Sequence, residues 1–227
     1  MADNSKFQVD FYYDVFSPYS WIALEGLLRY EKVWPISLKL KPFCLRDIMI
    51  ATGNRPPAVV LARAMNMLKD IQRNNEFWGM KITPPAKFQS WLKNKSTTTE
   101  VTQKTLIVLQ HEQPEKLLTV SRGFWKRMWN DGKPIFQRDD ILTVLKDCGV
   151  ENFENVYERA LSCPKIAEEL KANTTNALDE GAYGAPWIVV HKDGETHAFF
   201  GSDRFHFIAQ LIGQTFSDGL IRFSSKL

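Results

Sequence analysis

The sequence predicts an α/β fold in which a small core of strands and helices is interrupted by a long, all-helical block. Three observations carry that expectation. Strand-type runs gather in the first 43 and last 46 residues, helical periodicity fills the middle, and a serine-proline helix start follows directly on the first strand.

Residues 7–14 (FQVDFYYD) alternate in part and are rich in aromatic and β-branched side chains, the composition of a strand. Ser17-Pro18 then reads as a helix start. A serine oxygen at the cap satisfies a free backbone N–H, and proline at the first helical position lacks an N–H that would have no partner there. Trp21, Leu24, Leu27 and Leu28 supply the apolar face of that helix to about Tyr30. Residues 36–43 (ISLKLKPF) alternate apolar with polar or basic side chains and give a second strand.

From Cys44 to about Gly181 helical periodicity recurs between Asn, Gly and Pro punctuation. Helices are predicted over 59–74, 100–110, 114–129, 139–148, 153–161 and 164–180, with Asp139 and Pro164 as start signals. Residues 79–95, with Pro84-Pro85, read as a loop. After Pro186 strand chemistry returns at 187–191, turns at Lys192-Asp193-Gly194 and continues at 196–200, the pattern of a hairpin. A last helix follows Gly201-Ser202-Asp203. This order is that of a thioredoxin-like core interrupted by an all-helical insertion domain: residues 1–43 and 182–227 form the core and 44–181 the insertion.

Composition excludes several function classes. The 44% apolar and 24% charged content is that of a globular chain, and no apolar run approaches the roughly 20 residues of a membrane-spanning helix. The net charge is +3, with basic and acidic residues intermixed, so no stripe is set against a phosphate backbone and nucleic acid is not an expected partner. Cys44, Cys148 and Cys163 are too few and too irregular for a disulfide framework or a zinc site, which points to a reducing compartment. His111, His191, His197 and His206 lack the spacing of a helical metal site, and no metal is expected.

Four places can carry chemistry. Ser17 sits where a strand ends and a helix begins, so free N–H groups and the helix dipole favour an anion. Where redox proteins of this fold place Cys-x-x-Cys, this chain has Ser17-Pro18-Tyr19-Ser20, which cannot exchange disulfides. What remains is binding a ligand's thiol, with the serine hydroxyl donating to its sulfur anion, or else a plain helix cap. Gly184-Ala185-Pro186 stands before a strand. A cis Pro186 would turn the Ala185 backbone outward to pair with an extended peptide, and a trans bond would make it an ordinary strand entry. Gly201-Ser202-Asp203-Arg204 offers N–H groups, a hydroxyl and both charge signs to a zwitterionic γ-glutamyl end, or simply caps the last helix. Asn54 reads first as a turn residue and Arg63 as a solvated helix face.

These pieces resemble the kappa class of glutathione transferases over nearly the whole chain. The resemblance is carried by Phe11-Tyr12-Tyr13-Asp14-Val15-Phe16-Ser17-Pro18-Tyr19-Ser20-Trp21, Gly53-Asn54-Arg55-Pro56-Pro57, Tyr183-Gly184-Ala185-Pro186 and Phe200-Gly201-Ser202-Asp203-Arg204. It implies Ser17 as the catalytic hydroxyl, Asn54 and the Ala185 backbone on the middle and glycyl parts of glutathione, and Ser202 and Asp203 on the γ-glutamyl end. Pro18, Tyr19, Arg63, Pro186 and Arg204 complete the expected glutathione site. The family often carries lysine at Arg63 and a larger residue at Ala185. A homodimer is also implied.

The expected activity is conjugation of the glutathione thiolate to small electrophiles. The alternatives are a glutathione-dependent isomerase of aromatic pyruvate-type substrates, and a non-catalytic glutathione- or peptide-binding module. Ser225-Lys226-Leu227 matches a tripeptide read by the peroxisomal import receptor. Mitochondria are the rival address, against which stands the acidic, arginine-free start Met1-Ala2-Asp3-Asn4-Ser5-Lys6.

Overall fold

The computed structural model describes residues 6–94 and 97–217. Strand β1 (Phe7–Tyr13) pairs in parallel with β2 (Ile36–Pro42), from Phe7 opposite Ile36 to Tyr13 opposite Pro42. Parallel neighbours need a crossover, and helix α1 (Pro18–Tyr30) supplies it. On its other side β1 pairs antiparallel with β3 (Trp187–Lys192), which turns back into β4 (Glu195–Phe200). Asp193 and Gly194 both have positive φ, 52° and 82°, as a two-residue hairpin turn of the right twist requires. The sheet order is β2-β1-β3-β4.

Both faces of β1 are covered, which explains its incomplete alternation. Val9, Phe11 and Tyr13 enter the main core with Ile22, Leu24 and Leu27 of α1. Tyr12 faces the other way, into a second cluster with Phe43, Ile48, Ala177 and Trp187.

Between β2 and β3 the chain is helical: α2 (Leu45–Thr52), α3 (Leu61–Trp78), α4 (Phe88–Lys93), α5 (Glu100–Glu112), α6 (Pro114–Trp129), α7 (Arg138–Asp147), α8 (Phe153–Ser162) and α9 (Pro164–Asp179). A final helix, α10 (Phe205–Leu211), follows β4. The main core runs without a break from β1 through Phe124 and Trp125 of α6 to Val156 of α8 and Ile166 of α9. Sheet and helical block are therefore packed into one another.

Several boundaries differ from those the sequence predicts. The expected loop at 79–95 contains α4, because Phe88 is anchored between Phe16 and Trp129, with ring centroids 5.5 and 5.0 Å away. Helix α3 begins at Leu61, since Pro57–Val59 forms a separate 3-10 turn. Helix α7 is started by Gln137 and Asp140, which make a reciprocal capping box, and Asp139 lies inside it. The last helix is capped at Arg204 with no side-chain bond, so Ser202 and Asp203 precede it.

Candidate active site

Ser17 is the N-cap of α1, and its Oγ accepts from the Ser20 N–H at 3.2 Å. The same hydroxyl donates to the Ala185 carbonyl at 3.2 Å, across 168 residues of chain. The Ala185-Pro186 bond is cis. The helix start and the proline loop thus face each other, with the Ser17 hydroxyl between them and only 4% of the residue exposed. A sulfur anion arriving from the open side would compete with the Ala185 carbonyl for that proton while lying at the positive end of a 13-residue helix.

The loop carrying Ser17 is held by a buried polar network. Asp14, wholly buried, accepts from the Phe16 N–H at 2.9 Å, the Leu45 N–H at 3.0 Å and the Thr99 hydroxyl at 2.8 Å. Gln103 donates to the carbonyls of Tyr13 and Phe43 at 2.7 and 3.0 Å. The indole N–H of Trp125 donates to the Ser17 carbonyl at 3.0 Å, and its ring stacks on Trp21. Burial pushes the Asp14 carboxyl up to about 6, against the pull of its three donors and with the Asp47 carboxylate adding to the rise.

The other expected residues gather around the same loop. Asn54 donates to the Tyr183 carbonyl at 2.6 Å, two residues before Ala185, so the turn after α2 is tied to the proline segment. Gly201 donates to the Pro186 carbonyl at 3.1 Å, which brings Ser202, Asp203 and Arg204 alongside. Ser202 is buried, while Asp203 and Arg204 form an exposed ion pair at 3.0 Å. Gly201 has φ 98°, and a Cβ there would meet the Asp203 carboxylate at 2.8 Å, so glycine is required at this bend.

Tyr19 and Arg63 line an open pocket of about 360 Å³ together with Pro57, Ala62, Asn66 and Met67. Burial raises the Tyr19 hydroxyl well above its ordinary value. Asp70, to which it is hydrogen-bonded, and Asp203 push it the same way, so this phenol is a donor at every physiological pH. Among the described residues no group of three or more His, Cys, Asp and Glu side chains is placed to hold a metal ion. Nor is any helix among them long and apolar enough to cross a membrane. Ser225-Lys226-Leu227 lies outside the described residues.

Sequence reasoning missed Asp14, Thr99, Gln103, Trp125 and Tyr183 as parts of the site. Asp14 stands three residues before Ser17, and a lone acid closing an aromatic strand was the one available signal. Thr99, Gln103 and Trp125 act across 60 to 108 residues of chain and leave no local mark, and Tyr183, though it opens the segment ending in Pro186, acts through a backbone carbonyl 129 residues from Asn54.

The family model described as a DsbA-like thioredoxin domain matches residues 8–213. Glutathione S-transferase kappa 1 of Caenorhabditis elegans is 43% identical over 209 residues, covering 91% of each chain. The Homo sapiens glutathione S-transferase kappa 1 is 35% identical over 208 residues, again 91% of each. A solved 2-hydroxychromene-2-carboxylate isomerase superposes with a TM-score of 0.70 over 91% of this chain and 94% of that one; at 20% identity it speaks for the fold. With this fold, a serine in place of the redox cysteine and these relatives, the chain belongs to the DsbA-like thioredoxin family and, within it, to the kappa-class glutathione S-transferases.

Proposed function

We propose that this protein conjugates the thiol of glutathione to small electrophiles, with Ser17 as the group that stabilises the reacting thiolate. The observation that carries the reading is the buried Ser17 hydroxyl at the start of α1, aimed at the Ala185 carbonyl beside Pro186. A peptide laid along that carbonyl as an added strand brings a central cysteine to the hydroxyl. The thiol gives its proton to solvent, and the sulfur takes the hydrogen bond that Ala185 now receives. The sulfur lone pair then forms the S–C bond as the leaving group departs with its electrons, or as an activated double bond takes up a proton. Serine has no sulfur to form a mixed disulfide, so the site favours transfer over redox exchange.

In this reading Asn54, Tyr19, Arg63, Ser202, Asp203 and Arg204 hold the remainder of glutathione around the proline loop. The supporting arrangement is their meeting there, through Asn54 to Tyr183 and Gly201 to Pro186. A generic aromatic electrophile tests the reading. Ser17→Ala should lower kcat/KM by about a hundredfold, the order of one well-aimed donor to a developing anion, while glutathione affinity changes little. Equal losses in both, or none, would overturn it.

The reading extends to a homodimer serving detoxification and, through Ser225-Lys226-Leu227, to peroxisomes. A tagged protein lacking those three residues should be cytosolic. Peroxisomal retention of the truncated form, or a wholly mitochondrial intact form, would contradict the address.

A further inference from the structure

We propose that Asp14 is a positioning residue for the thiolate site: its ionised carboxylate clamps the loop that carries Ser17 against α2 and the start of α5. Its two oxygens accept from three elements. Oδ1 takes the Phe16 N–H inside the loop, and Oδ2 takes both the Leu45 N–H, the first of α2, and the Thr99 hydroxyl just before α5. An ionised carboxylate is acceptor-only and suits three donors. A protonated one either gives up a bond or turns one round by donating to the Thr99 hydroxyl, and in both cases its charge-assisted hold on the Phe16 and Leu45 N–H groups weakens. The next backbone link, Ser17 N–H to the Asp14 carbonyl at 3.0 Å, closes the turn, so a shift at Asp14 is passed to the catalytic hydroxyl.

The charge that raises this carboxyl is the Asp47 carboxylate of α2; the Cys44 thiol at the cap of α2 and the Tyr13 phenol of β1 lie close to it too, and both stay neutral because burial, with Asp14 adding to it, pushes them up. Full burial, with Asp47 adding to it, places its titration near pH 6, close enough to neutrality for mild acid to weaken the clamp. No contact with glutathione is needed for this role. The geometry instead predicts that the orientation of the Ser17 hydroxyl, and with it the rate, depends on the charge of a residue behind the site.

The test has two arms. In 15N-labelled protein without ligand, the amide resonances of Phe16 and Leu45 should shift together with a common midpoint of about pH 6. Thr99→Val, which removes one donor from the ionised form, should move that midpoint upward, and Asp14→Asn should abolish the shift. In conjugation assays, which rest on the function proposed above, the ratio of wild-type to Asp14→Asn kcat/KM should be about ten to a hundred above the midpoint. Below it the ratio should converge toward one, because wild type is then neutral there too. With kcat/KM taken for glutathione, the titration of the free thiol is common to both proteins and cancels in that ratio.

A constant ratio across pH would reduce Asp14 to ordinary structural support, and amides that stay still or titrate separately would remove the clamp. If Asp14→Asn does not fold, the Thr99→Val midpoint decides. If no electrophile is turned over, the activity reading fails while the amide titration still decides this one.

Discussion

At the junction of β1 and α1 Asp14 is fully buried and Ser17 is 4% exposed, whereas Ile50 of α2 and Leu61 and Met65 of α3 stand 68%, 79% and 51% exposed. The two regions border one pocket, through Tyr19 on one side and Arg63 on the other. The junction is over-determined: within five residues, 13 to 17, it is held by Gln103, Thr99, Leu45, Ser20, Trp125 and the Ala185 carbonyl. On the α3 side the link to α1 is the hydrogen bond between Tyr19 and Asp70. Chemistry on a sulfur needs a donor fixed to fractions of an ångström, a demand that falls on the junction and not on the α3 side.

That contrast is broken or sharpened by removing contacts on each side. The largest effect should be a pH-dependent one at Asp14. Its folded value of about 6 lies above the 3.8 of an exposed aspartate, so folding favours the protonated form. That contribution is fully present below pH 3.8 and is lost as pH rises through about 6. The stability of wild type minus that of Asp14→Asn should therefore fall by on the order of 3 kcal/mol between about pH 4 and pH 7, read from urea midpoints. An unchanging difference would mean an ordinary carboxyl. In this account the charge that positions the loop is a stability cost at neutral pH.

Next in size is Trp125→Phe, which keeps the ring but leaves the buried Ser17 carbonyl without its donor. It should cost about 1–3 kcal/mol and loosen the loop, lowering turnover along with stability. The smallest effect belongs to the other region: Leu61→Ala, at the exposed start of α3, should stay within about 0.5 kcal/mol. Chemical denaturation of the three proteins orders them. A Leu61→Ala cost equal to that of Trp125→Phe would erase the distinction between the two regions.

What the sequence made legible follows from how far each determinant reaches. Ser17-Pro18, Ala185-Pro186 and Asp193-Gly194 are local: capping, proline geometry and positive φ are properties of adjacent residues, and they placed the serine turn, the proline loop and the hairpin. The alternation in 36–43 likewise gave β2, and the Pro114 and Pro164 starts gave α6 and α9. Helix α4 was illegible because its six residues are ordered by Phe88 against Phe16 and Trp129, a tertiary cause hidden behind Pro84-Pro85. Helix α2, eight residues long, is held by Ile48 in the second core and by Leu45 on Asp14. The clamp on Asp14 escaped for the same reason, since Thr99 lies 85 residues away.

If Ser17 acts as proposed, its hydroxyl lowers the pKa of the glutathione thiol in the bound state. The ultraviolet absorbance of the thiolate, followed against pH with glutathione saturating the protein, measures this without any electrophile. The wild-type midpoint should lie about one to two units below the roughly 8.5 of a free thiol, and Ser17→Ala should return it most of the way. The same midpoint in both proteins, or a wild-type value no lower than that of free glutathione, would contradict it.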